Sequence, residues 1–215
     1  MANAITPKDV AIGEHRLGGI LAVPDDATGL VIFAHGSGSS RFSPRNTHVA
    51  ETLQQRGFAT LLFDLLTERE ALDRRNVFDI SLLGGRVVEA VGWACNQDAL
   101  KDLPIGLFGA STGAAAALVA AAELSQAVGA VVSRGGRPDL AGKALFRVEA
   151  PSLLIVGGHD YEVIDLNREA QAMMRCEHKL AIVPGATHLF EEEGTLEEVI
   201  DLAGAWFTDH LAPAE

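Results

Sequence analysis

The chain has 215 residues, 48% of them hydrophobic and 21% charged, a globular composition long enough to bury a sizeable core in one domain. A formal net charge of −12 argues against nucleic acid and anionic membrane surfaces as partners. No apolar run approaches the roughly 18 residues of a spanning helix, the first residues lack a secretory pattern, and Cys95 and Cys176 are far apart. The expectation is therefore a cytoplasmic protein with free thiols.

Residues 8–13 and 16–23 predict two short strands forming an antiparallel hairpin. "LVIFAH" (30–35) is a continuous apolar run, as expected of a strand buried on both faces, and a Gly/Ser loop follows it. A helix is predicted near 46–56, ending at Gly57, then a second buried strand over 58–64. Residues 65–79 read as irregular with one helical turn, and 80–99 as a longer helix. A third buried strand (104–110) leads into an Ala-rich helix (112–124). Further strands are predicted at 127–133, 151–157 and 178–183, with helices near 162–175 and 195–210. Strands alternating with helices imply a mostly parallel sheet covered on both faces, with reactive groups at the carboxyl ends of the strands.

Such an end carries "GASTG", residues 109–113. This is G-x-S-x-G between a strand and a helix, where a tight turn lifts the serine hydroxyl above the sheet. Ser111 is the expected nucleophile, and the Thr112 N–H a donor to a developing oxyanion. A serine hydroxyl needs a base, and His188 in the loop after the last strand is placed to supply it. His48, His178 and His210 fall in or beside regular elements, and His15 precedes the second strand. Asp160, just beyond the strand 151–157, is the expected partner of His188, with Glu162 and Asp165 as competitors. The second oxyanion donor is expected from "HGSGSS", as the Ser37 N–H or, failing that, Gly36; His35 is expected to hydrogen-bond within that loop.

The stretches "HGSGSSRFSPRN", "GASTG", "GGHD" and "PGATHLF" resemble the α/β-hydrolase superfamily, within it the dienelactone-hydrolase-like branch, over about residues 15–210. The resemblance implies an eight-stranded, mostly parallel sheet with an antiparallel second strand. Dienelactone hydrolases proper have a cysteine nucleophile, and this chain has Ser111. The likeness thus supports the fold and an ester-type reaction, not dienelactone as the substrate.

The expected function is a serine hydrolase acting on a small carboxylic ester through an acyl-enzyme, with no metal or organic cofactor, in one α/β-hydrolase domain over 1–215 without a large cap. Phe42, Leu65, Leu66 and Phe78 are candidates for an apolar substrate pocket. Arg41, Arg45, Arg134 and Arg137 follow strands on the same side; Arg41 and Arg134 above all are candidates to orient an anionic substrate group, against the alternative that they pair with Asp and Glu. Two other functions stay open: a non-catalytic ligand-binding relative, and a Rossmann-type nucleotide enzyme. The second is disfavoured because Arg41 stands at the third glycine position. Monomer and homodimer are equally compatible with the sequence.

Overall fold

Alternate residues of a strand point to opposite faces of a sheet, so a strand apolar throughout requires cover on both sides. In a computed structural model that describes residues 5–211, four strands meet that requirement with every residue buried: β3 (Gly29–Ala34), β4 (Phe58–Phe63), β5 (Ile105–Ala110) and β7 (Ser152–Gly157). They form one sheet with β1 (Lys8–Ile12), β2 (Leu17–Ala22), β6 (Val128–Arg134) and β8 (His178–Val183), in the order β1-β2-β4-β3-β5-β6-β7-β8. β2 runs antiparallel to both its neighbours, and the strands from β4 to β8 are mutually parallel.

The helices α1 (Pro44–Gln55) and α6 (Thr195–His210) cover one face, where Val31, Phe33, Phe108 and Val132 meet Val49, Leu53, Val199 and Phe207. The other face packs Leu30, Ile32, Leu61 and Leu107 against α3 (Ile80–Cys95) and α4 (Thr112–Glu123). α4 is Ala-rich because it is central: Ala114 to Ala117 are all fully buried, and small side chains let it lie close to the sheet and to α3. The same closeness requires Gly84 of α3, where a Cβ would stand 2.7 Å from Val119 Cγ1. α2 (Glu68–Ala71) is a single turn, and α5 (Tyr161–Met173) follows β7.

Local sequence explains most boundaries. Ser43 caps α1, accepting from the Asn46 N–H, and Pro44 starts the helix two residues earlier than its apolar pattern suggests. α3 stops at Cys95 rather than 99, because Asn96 and Gln97 turn their side-chain amides back onto the carbonyls of Gly92 and Trp93. Between β6 and β7, where no regular element is predicted, the chain holds 3-10 turns over Pro138–Arg147, broken at Gly142 with φ +52°. No helix among the described residues is long and apolar enough to cross a membrane. Both cysteines are free thiols.

Candidate active site

Ser111 joins β5 to α4 at φ +50° and ψ −122°, a conformation that costs a non-glycine residue about 1–3 kcal/mol. Its surroundings hold it there. The Ser111 N–H donates to the Arg134 carbonyl at 3.2 Å, and the Ser111 carbonyl accepts from the N–H groups of Ala114 and Arg137, both at 3.1 Å. The small neighbours are a steric requirement. A Cβ on Gly109 would overlap the Ala114 Cα, and one on Gly113 would overlap the carbonyl oxygens of Ala34 and His35. A Cβ on Gly36 would lie 3.0 Å from Ser111 Cβ, so the loop after β3 runs directly against the serine.

Asp160 and His188, 28 residues apart in sequence, meet through a 2.6 Å bond between His188 Nδ1 and Asp160 Oδ2. The carboxylate accepts, so Nδ1 carries the proton and Nε2 is left as an acceptor. The loops bearing the two residues are stitched together: the Gly158 N–H donates to the Val183 carbonyl at 2.8 Å and the His159 N–H to the Ala186 carbonyl at 2.9 Å. Gly135, at φ +50°, lets the His188 loop settle over the end of β6; its Cβ would come 3.0 Å from the His188 carbonyl and 3.7 Å from the ring carbon Cε1. Fully buried Phe190 anchors this loop from below, and the carboxylate of Glu192 accepts from the Thr187 N–H and hydroxyl at 3.0 and 2.6 Å. The sequence signal for this contact is the "GG" pair (135–136) directly after β6.

His35 stays within its loop. Its Nε2 accepts from the Leu65 N–H at 3.1 Å, which leaves Nδ1 to donate to the Gly36 carbonyl at 2.9 Å. Burial lowers its pKa, against the opposing effects of the Gly36 carbonyl and the Asp64 charge, and so favours this neutral ring. The Ser37 N–H is not free: it donates to Thr112 Oγ1 at 3.0 Å. This corrects the first choice of oxyanion donor. The Gly36 N–H has no acceptor among the described residues, and the Thr112 N–H, in the first turn of α4, has no helical one.

Beside this loop opens a cavity of about 310 Å³ walled by His35 to Ser40, Asp64, Leu65, Leu66, Glu68, Ala71, Val77, Leu83 and Thr112. Of the four apolar pocket candidates, Leu65 and Leu66 line this cavity, whereas Phe42 and Phe78 do not and are 60% and 50% exposed. Ala71, Val77 and Leu83 carried no sequence signal that distinguished them from ordinary core or loop residues. A larger open groove, about 1190 Å³, lies between β2 and the carboxyl end of α1 and includes no residue of the serine, aspartate or histidine loops.

The loop arginines resolve individually. Arg41 is paired with Asp64, Arg45 with Glu191 at 3.0 Å and Arg137 with Asp139 at 2.8 Å. Arg134 is 6% exposed and has no carboxylate partner among the described residues; its Nη2 donates to Asn46 Oδ1 at 3.2 Å. Burial, with a smaller push from Arg45, lowers its pKa to about 10, so it is still a cation at neutral pH. Neither Arg41 nor Arg134 lines this cavity, and neither do Ser111, Asp160 and His188 themselves.

Comparison with known proteins agrees with this architecture. Residues 17–201 match the dienelactone hydrolase family. A solved dienelactone hydrolase from Anabaena variabilis is 52% identical, with a TM-score of 0.93 over 98% of this chain and all of that one. An esterase from Pyrococcus furiosus has the same fold at 18% identity and a TM-score of 0.76, over 97% of this chain and 92% of that one. A Mycobacterium tuberculosis protein with the provisional name phosphoribosyl transferase is 59% identical over 202 residues, 94% of this chain. Those residues are 46% of that protein, so the chain spans about half the length of the curated relatives it matches.

Proposed function

The chain belongs to the dienelactone hydrolase family, and on that premise we propose that it is a serine hydrolase of small carboxylic esters, with Ser111 as nucleophile, His188 as base and Asp160 as the residue that orients His188. The observation that supports this reading is the 2.6 Å bond between His188 and Asp160, whose loops follow β8 and β7 as the strained Ser111 turn follows the parallel β5.

In the proposed reaction, Ser111 Oγ bonds to the ester carbonyl carbon while its proton passes to His188 Nε2. The carbonyl π pair moves onto oxygen, where the N–H groups of Thr112 and Gly36 are the proposed donors. Collapse returns that pair, breaks the bond to the alcohol oxygen and hands the proton to the departing alcohol. Water then attacks the acyl-enzyme by the same steps, with His188 again as base, releasing the acid and restoring Ser111. His188 supplies and accepts every proton in the cycle, so the proposal needs no further group.

The cavity wall supports a small, largely apolar substrate group: Leu65, Leu66, Ala71, Val77 and Leu83 provide the greasy surface, while Asp64 and Glu68 disfavour an anion there. The phosphoribosyl transferase name belongs to proteins twice this length, and nothing in the Ser111 site supports carrying it over.

Labelling with a fluorophosphonate, followed by peptide mass spectrometry, tests the proposal. The expected result is one adduct, on Ser111, lost in Ser111→Ala together with hydrolysis of 4-nitrophenyl acetate. An unlabelled Ser111 under conditions that label a standard serine esterase would overturn it and favour a ligand-binding role.

A further inference from the structure

The residue after the nucleophile does more than offer its backbone. Thr112 is 5% exposed, and its Oγ1 accepts the Ser37 N–H at 3.0 Å from a loop 75 residues away in sequence. That bond fixes the side-chain rotamer and occupies one lone pair. It leaves the hydroxyl's own proton, which has no acceptor among the described residues. A buried hydroxyl that accepts but does not donate is half satisfied, and buried polar groups are rarely left so without a reason. Thr112 lines the 310 Å³ cavity together with Gly36 and Ser37, so that space is open to the hydroxyl.

We propose that the Thr112 hydroxyl is a third, side-chain donor to the oxyanion, held in place by the Ser37 N–H. The inference rests on the reading of Ser111 as an esterase nucleophile. As Ser111 Oγ bonds to the carbonyl carbon and the π pair moves to oxygen, the Thr112 O–H donates a hydrogen bond to that oxygen and keeps its proton. The acceptor bond from Ser37 strengthens the donation, because a hydroxyl that accepts from one side becomes a better donor on the other. Ser37 thus acts through Thr112, as a positioning residue, although its N–H does not touch the substrate.

The arrangement makes an unusual prediction about the sign of one substitution. Thr112→Val keeps the shape and the backbone N–H but removes the hydroxyl, and it also releases the Ser37 N–H. If the hydroxyl is the donor, kcat on 4-nitrophenyl acetate falls about 10- to 100-fold, with KM changed by less than about 3-fold, since the lost bond forms only in the transition state. The rate constant for fluorophosphonate labelling of Ser111 falls in parallel, and Thr112→Ser, which restores the hydroxyl, recovers most of both. If the hydroxyl only plugs the hole, Thr112→Val instead matches or exceeds the unaltered protein, and the inference is overturned. Thr112→Ala, which adds no volume, gives the same readout if the valine variant fails to fold. Failure of the unaltered protein to label at Ser111 would remove the parent reading; normal labelling with an unaffected Thr112→Val would remove this inference alone.

Discussion

The two sides of the cavity are built on different principles. One side, the loop after β3 together with Thr112, adjoins the Ser111 turn, where Gly109 and Gly113 are fitted against backbone atoms and Gly36 against Ser111 Cβ and the Ala110 carbonyl. The opposite wall, residues 65–79, contains α2 and a 3-10 turn over Asn76–Phe78, and neither has a buried residue. Apart from buried Leu65, polar contacts hold it. Thr67 and Glu70 cap α2 reciprocally, and Arg86 of α3, 7% exposed, joins Glu70 at 2.6 Å and Glu89 at 3.2 Å, with His15 completing the cluster. One side has the packing that rigid geometry needs. Beyond Leu65 and Leu66, which pack into the core, the other has no buried residue in either short helix and rests on partly exposed polar bonds, the features of a locally less stable segment. The difference fits a division between a chemical step that tolerates little displacement and a wall that decides what enters.

The sharpest way to break that contrast is at Asp160. Asp160→Asn should leave the fold intact but remove the acceptor that holds the His188 Nδ1 proton, lowering kcat by about 10³- to 10⁴-fold. Steady-state hydrolysis of 4-nitrophenyl acetate measures this, and a loss under 10-fold would exclude Asp160 as the orienting acid.

Next in size is the rigidity of the elbow. Gly109→Ala drives a methyl into the Ala114 Cα, an overpacking of about 1–3 kcal/mol or more. The expected fall in Tm is roughly 3–10 °C, with loss of Ser111 labelling. Gly85→Ala on α3, where nothing lies within 4 Å of the added carbon, should hold or raise Tm. Equal effects at the two glycines would refute the claim that the elbow is the stiffer region.

The smallest effect belongs to the wall. Burial pushes the Glu70 carboxyl up, but bonds from Thr67 and Arg86 outweigh it and leave the pKa below the ordinary 4.5. A depressed carboxylate pKa contributes stability that is present above the unfolded value and is lost as pH falls through the folded one. Glu70→Gln should therefore cost at most about 1 kcal/mol near neutral pH, and the gap to the unaltered protein should narrow as pH falls below the ordinary 4.5 and through the lowered folded value. Thermal melts across pH 3–7 check this. On the wall model the variant changes KM for longer esters, while its Ser111 labelling rate stays the same.

Much of this molecule was legible from sequence because its signals are local. Apolar runs marked the central strands within a residue or two, since strands covered on both faces carry few polar residues, while the more exposed β1 and β8 were legible from their place in the strand-helix alternation and hairpin. "GASTG" exposed the elbow as a local pattern, although only Gly109 is imposed by a near neighbour, Ala114; Gly113 is imposed by the Ala34 and His35 carbonyls at the end of β3. Asp160 and His188 were readable as strand-end residues, and the fold brings them together at 2.6 Å.

Tertiary structure alone decided the finer partnerships. Which loop arginine finds a carboxylate depends on the reach of long side chains between segments that only the fold juxtaposes: Arg45 with Glu191 across 146 residues, and Arg134 left with Asn46 across 88. The engagement of the Ser37 N–H by Thr112 has the same character. Sequence determined the strands, the turn and the reactive residue types, because those follow from steric rules acting over a few bonds. The direction of each donor and the partner of each charge depend on distances of a few ångström between remote loops, and no local pattern encodes them.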